Sequence, residues 1–345
     1  MATLTAVRSS LSTRVLAERI AAAAILSGIA LWLGWNLVIA PAQFFTVAIQ
    51  GLSNGALYAL IALGYTLVYG IIELINFAHG DLFMLGTLFS AWLLTQTLSQ
   101  RAPSPGGYLA FAATLLGAML FCSTINVAIE FFAYRRLRNA PKLTPLITAV
   151  GVSFILQFVG LSWNGSGPKN WPTVLPAKKY DIGGVIINTQ ALIVLAVTIP
   201  LLLLMSFIVT KTRAGKAMRA TAQDQDAARL MGINVNRTIS FTFAMGGALA
   251  GAAGVMYQQT VGTTNYNLGF QLGLIAFTSA VLGGIGNLTG AVVGGLLIGL
   301  IQGLNDGLPI ALGQQWSQSV VFGILILLMV FRPAGIFGSN AVEKV

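Results

Sequence analysis

The sequence predicts an all-α fold, a polytopic membrane helix bundle of about nine or ten transmembrane segments. Three observations lead there. Hydrophobic residues make up 56% of the 345-residue chain, and the mean hydropathy is +0.82. Charged residues make up only 8%. The charges that exist cluster between long apolar runs, as expected when a charge at the centre of a spanning helix costs about 2.5–3.5 kcal/mol.

With about 20 apolar residues per span, segments fall near 20–40, 43–71, 80–98, 108–133, 144–163, 190–210, 238–258 and 315–331. Two shorter pieces, 270–282 and 289–304, flank Gly283-Gly284-Ile285-Gly286-Asn287 and could span fully or re-enter. The first segment follows Arg8, Arg14 and Arg19 in the manner of a signal peptide. It is long enough to span, however, and Pro41 directly after Ala40 disfavours cleavage, so it reads as a retained signal-anchor helix. The chain thus divides into an N-terminal extension with an extra helix (1–42), a main membrane domain (43–337) and a short tail (338–345).

The positive-inside rule orients the segments. Only Arg101, Lys169, Lys178 and Lys179, of 19 Lys and Arg residues, fall in the outer loops when both termini are cytoplasmic. The net charge of +10 therefore reports orientation, and no basic stripe interleaved with aromatics points to nucleic acid. Trp163 and Trp171 read as interface anchors of the large outer loop 164–189. Cys122 is the single cysteine and has a packing role.

Four places could carry function. At 100° per residue, Asn54, Tyr58, Tyr65 and Tyr69 fall within about 60° of one another. Such a stripe should face a neighbouring helix or a polar path rather than lipid. The stretch Glu73 to Asp81 holds the single histidine, His79, with two carboxylates. A proton relay is one reading; the other is a polar turn in which Asn76 caps the next helix and His79 bonds a backbone carbonyl. One histidine and two acids lack the spacing of a metal motif. Third, Gly290, Gly294, Gly295, Gly299 and Gly303 place small residues on helix faces and permit close packing. The breaks at 76–81 and 283–287 lie on the same side, which suits a parallel repeat.

The fourth is the polar island 211–237, where eight charged side chains crowd together. Thr221 followed by Asp224 matches a capping box. Ala227, Leu230 and Met231 form a short apolar stripe, and Gly232 with Ile233 fits a Schellman stop. The expected product is a helix of roughly 222–231 outside the bilayer.

Asp226-Ala227-Ala228-x-x-x-Gly232 is similar to the Glu-Ala-Ala-x-x-x-Gly signature of ABC-importer permeases, with Asp for Glu; the Ile-x-Leu-Pro ending of many such permeases is missing. NGALYALIALGYTLVYGIIELINFAHGD, AARLMGINVNR and AVLGGIGNLTGAVVGG resemble the branched-chain amino acid permease branch, H-type subunit. The resemblance covers about residues 43–337. It implies an ATP-driven importer: this chain beside a second related permease, two cytoplasmic ATPase subunits, and an extracytoplasmic amino-acid-binding protein, all at a bacterial inner membrane. The island helix would dock on an ATPase.

The residues agree on one point. No G-x-x-x-x-G-K-[ST] loop is present, and Gly215-Lys216 lacks both the upstream glycine and the following hydroxyl. ATP hydrolysis then belongs to partners, with no cofactor in this chain. Two alternatives stand beside this expectation: a proton-coupled secondary carrier using Glu73, His79 and Asp81, and a permease for urea or short amides.

Overall fold

The computed structural model describes residues 24, 27–73, 76–100, 102–104, 106–138, 140–141 and 143–338. The start of the expected signal-anchor helix, Lys142 and nearly all of the tail lie outside the described residues. The chain folds as helices α1 (Ser27–Ile39), α2 (Pro41–Ile72), α3 (Ala78–Trp92), α4 (Gly107–Ile129), α5 (Leu143–Asn164), α6 (Thr189–Lys211), α7 (Arg213–Gln223), α8 (Gln225–Leu230), α9 (Val235–Val261), α10 (Leu268–Gly283), α11 (Leu288–Gly307) and α12 (Ser317–Phe331). Among the described residues, seven helical stretches are long and apolar enough to cross a membrane, and α1 and α10 are apolar but shorter. This is the all-α polytopic bundle expected from the apolar runs.

The spans sort into inner and outer positions. In α2 and α9, 83% and 78% of the most apolar window is buried, against 22% in α5 and 11% at α12. A helix apolar all round belongs in such a bundle, because either lipid or protein can meet each face. The inner helices approach through glycine. A Cβ on Gly299 would lie 2.1 Å from the Gly55 Cα, and one on Gly295 2.5 Å from the Ala59 Cα, so α2 and α11 touch backbone to backbone. Gly247 and Gly251 bring α9 equally close to α4, and Gly80, Gly269 and Gly273 do the same for α3 and α10. The glycine series therefore packs as its spacing predicts.

Between α10 and α11 the chain turns at Gly284 (φ +105°) and Gly286 (φ +91°), backbone angles that glycine adopts without a Cβ penalty.

Loop 164–189 contributes three short strands, β1 (Lys169–Asn170), β2 (Lys179–Ile182) and β3 (Val185–Asn188); a fourth, β4 (Thr263–Thr264), follows α9. β2 and β3 form a hairpin, and β1 pairs antiparallel with β4. That second pairing draws the loop inward, and the Trp171 backbone N–H donates to the Gly262 carbonyl at 2.8 Å. Trp171 is consequently buried in one apolar cluster with Leu57, Ala91 and Val255 rather than anchoring at an interface. Trp163 instead joins an aromatic group with Phe89, Trp92 and Phe121.

Backbone contact leaves no room for a side chain. Gly299→Leu should lower stability by about 1–3 kcal/mol or more, read as a fall in melting temperature in detergent. Gly323→Leu, at a position with nothing within 4 Å of an added Cβ, should leave it unchanged.

Candidate functional site

The polar island forms two short helices. Thr212 caps α7, its hydroxyl accepting from the Gly215 N–H at 3.1 Å. Gly215, Met218 and Thr221 are spaced three apart and buried together against the bundle. Asp224 then opens α8: its Oδ1 accepts from the N–H groups of Asp226 at 2.8 Å and Ala227 at 2.9 Å. This corrects the expected capping box and the single helix over 222–231. Thr221 sits in the last turn of α7, 1% exposed and turned into the bundle, so its hydroxyl cannot reach the start of α8. Asp224 is itself the cap.

The stop is a Schellman motif. Gly232 has φ +79°, its N–H donates to Arg229, and the Ile233 N–H donates to Ala228, both at 3.0 Å. Ala228 is buried and Ile233 packs against the same core. Asp226 and Arg229 pair on the surface at 2.6 Å. Ala227 is exposed, and Leu230 and Met231 are 90% and 82% exposed. The apolar stripe of the island thus points away from the protein.

The second region is a polar seam along α2. The Tyr58 hydroxyl donates to Gln302 Oε1 of α11 at 2.7 Å, and Asn54 lies half-buried one turn earlier. Tyr65 stands edge-on to His79, ring centroids 4.8 Å apart, and 6.2 Å from Phe277. Tyr69 is half-buried and lines an open cavity of about 900 Å³ with Thr210, Phe277, Asn287, Met329 and Phe337. A small cleft lined by Tyr65, Thr66, Tyr69 and Phe277 adjoins it. Tyr58, Tyr65 and Tyr69 therefore face α3, α10, α11 and the cavity, not lipid.

The stretch 76–81 departs from expectation. Phe77, not Asn76, occupies the N-cap position of α3, with no side-chain cap. Asn76 Oδ1 instead accepts the Tyr134 hydroxyl at 2.7 Å. His79 turns toward α2, where a Cβ on Gly64 would lie 2.4 Å from its Nε2, and its ring meets the Ile61 backbone, as the polar-turn reading expects, rather than a carboxylate. Asp81 turns the other way and accepts from the Ser153 hydroxyl of α5. Positions two apart on a helix point to opposed faces, so the imagined His79–Asp81 relay is not assembled.

A cavity of about 300 Å³ joins the two regions. Its walls include Ile72, Tyr134, Arg138, Pro145, Thr221 and Asp224, so the Asn76–Tyr134 bond lies beside the α7–α8 junction. Close by is a group that sequence reading missed. Glu130, fully buried near the end of α4, accepts from Arg135 at 2.7 Å and from Arg138. The Ser240 hydroxyl of α9 donates to it at 2.7 Å, and Arg138 donates to Asn236 at 2.7 Å. The signal was one carboxylate in an otherwise uncharged apolar run, five residues before the first of three arginines.

A multi-pass helix bundle with a polar seam inside and a locked helix presented outside is the build of a membrane transport permease. The chain matches the model of the family described as branched-chain amino acid transport system / permease component over residues 47–330, and it belongs to that family. It is 39% identical over 301 residues to the high-affinity branched-chain amino acid transport system permease protein BraD of Pseudomonas aeruginosa, covering 86% of this chain and 96% of that protein. It is 38% identical over 308 residues to LivH of Escherichia coli, covering 88% and 98%. The xylose transport system permease protein XylH of Escherichia coli is 27% identical over 278 residues, covering 73% of this chain and 69% of that protein.

Removing one member of a buried ion cluster leaves its partners uncompensated. Glu130→Gln should destabilise by about 3 kcal/mol, more than Arg135→Gln at the more exposed end, with thermal unfolding in detergent as the measure.

Proposed function

We propose that the chain is the transmembrane permease subunit of an ATP-driven importer for branched-chain or other neutral amino acids. It forms part of the solute path and couples to separate ATPase subunits. One observation carries the reading: a helix too short to be stable alone is fixed at both ends by caps, yet presents Leu230 and Met231 to solvent. Backbone rigidity with an uncovered apolar face is what a docking element for a soluble partner needs. A second permease, two cytoplasmic ATPases and an extracytoplasmic amino-acid-binding protein complete the assembly. The charge distribution favours the α7–α8 face in the cytoplasm of a bacterial cell with the multi-pass bundle in its inner membrane. The chain needs no cofactor of its own.

The path follows the seam of Asn54, Tyr58, Tyr65 and Tyr69 toward the 900 Å³ cavity, with Asn76 and His79 behind it. Its lining supplies phenol and amide groups, which suits a neutral solute released by its carrier and held only briefly. The match to proteins named for branched-chain amino acids favours that cargo over urea or short amides. The separation of His79 from Asp81 argues against a proton-coupled carrier.

In proteoliposomes containing all subunits, Ala228→Glu or Gly232→Asp should abolish uptake and stimulated ATP hydrolysis while the variant still inserts. Uptake at the normal rate by either variant would refute the coupling role. Uptake by the purified chain alone, driven by a pH gradient and lost in His79→Ala, would establish the carrier reading instead.

A further inference from the structure

Helix α1 lies against the bundle with most of its apolar side chains facing outward: Leu31, Trp35 and Val38 are 74%, 62% and 79% exposed. Asn36 is the exception, fully buried in an otherwise apolar helix. An amide in that position is costly unless paired, and it is paired with unusual completeness. Its Oδ1 accepts from the Ile310 N–H at 3.2 Å, and its Nδ2 donates both to the Trp32 carbonyl of its own helix at 2.9 Å and to the Ile310 carbonyl at 3.3 Å. The side chain acts as a surrogate peptide group, satisfying both backbone groups of one residue. The Trp32 indole donates to the same carbonyl.

Ile310 lies in the segment joining α11 to α12, at the end of α11 away from α7 and α8. That segment is held from a second side. Gln43, at the start of α2, donates to the Gly307 carbonyl at 2.6 Å, one of the orphan carbonyls at the end of α11. Asn305 closes the turn by donating to the Gly313 carbonyl at 2.9 Å. Gln302, the partner of Tyr58, lies at the outer part of the glycine contact with α2, between Gly299 and Gly303.

We propose that Asn36 is a positioning residue for transport: through Ile310 it fixes the outer end of α11, and so holds the Tyr58–Gln302 wall of the path in one place. The inference rests on the reading of that wall as part of the path. It gives α1 a role in the transport cycle. Helix α1, the first turns of α2, and α11 move as one body, and access at the outer side must change through other helices.

The test uses the complete transporter in proteoliposomes. Two readouts are followed, amide hydrogen exchange over 308–313 and ATP hydrolysed per solute imported. Asn36→Leu should speed exchange by roughly tenfold, the loss expected for two ordinary hydrogen bonds, and should raise the ATP-to-solute ratio severalfold. Gln43→Leu removes the other pin without touching α1 and should move the ratio the same way, which guards against a folding defect in α1.

Faster exchange with an unchanged ratio in both variants overturns the positioning role, since the pairing would then only seat α1. Unchanged exchange in Asn36→Leu overturns the clamp itself. Tyr58→Phe serves as the control for the underlying reading. If it leaves uptake and the ratio untouched, the wall is not part of the path; if it alters them while Asn36→Leu does not, only the clamp fails.

Discussion

The constraint on which the rest depends is that lipid supplies no hydrophobic drive for one spanning helix to meet another. Association must come from close packing, and here it comes from backbone contact. Gly51 and Gly55 of α2 face Gly295, Gly299 and Gly303 of α11 at distances that exclude any Cβ. Gly247, Gly251 and Gly254 seat α9 on α4 and α3 in the same way. Because these axes are so close, polar side chains of adjacent helices reach one another directly. The Tyr58–Gln302 bond and the burial of His79 over Gly64 both follow from helices without intervening side chains. A larger residue at any of these glycines would move the seam as well as loosen the bundle.

Rigidity carries from the core to the surface helix by a short route. Ala228 and Ile233 face the bundle from the two ends of the Schellman turn, and Asn234 caps α9 immediately afterwards, accepting from the Arg237 N–H at 3.1 Å. The first turns of α9 are then tied to the end of α4 through Ser240, Asn236 and the buried Glu130 cluster. A displacement of α8 would therefore load α9 and α4 on one side and, through α7, α6 and α2 on the other, and α9 packs along α2 and α3. In the proposed function, this connects the ATPase-facing helix to the walls of the path. The Asn76–Tyr134 bond lies beside the same junction and gives the turn before α3 a share in that load.

Much of this is legible in the sequence, and the exceptions have physical causes. Apolar runs locate the spans because the bilayer imposes length and composition together. Glycine spacing locates the contact faces because only small residues let backbones meet. The island stands out by its charge, but its helix boundary does not. Thr221 and Asp224 are both cap formers, and residue types alone do not say which one faces inward; burial of Met218 and Thr221 on one side of α7 decides it. The inward position of Trp171 depends on β1 pairing with β4, a contact between distant segments that no local pattern encodes. Asp81 and His79 are neighbours in sequence, whereas α3 sends them to α5 and α2.

Cargo choice is a separate matter from the frame. The family match and the glycine contacts concern how helices approach, and a relative named for xylose transport retains 27% identity over 278 residues. How the helices approach therefore says nothing by itself of the cargo. In the proposed function, the side chains along the seam, Tyr58, Tyr65, Tyr69 and Gln302, offer the solute hydrogen bonds from uncharged groups. Uncharged donors and acceptors discriminate weakly between neutral solutes unless one of them is left unpaired by the wrong cargo. In the proposed function such a lining is sufficient, because the solute arrives already chosen by an external binding protein. In that arrangement, tight recognition along the path would slow release, and the sparse polarity of the seam serves passage more than choice.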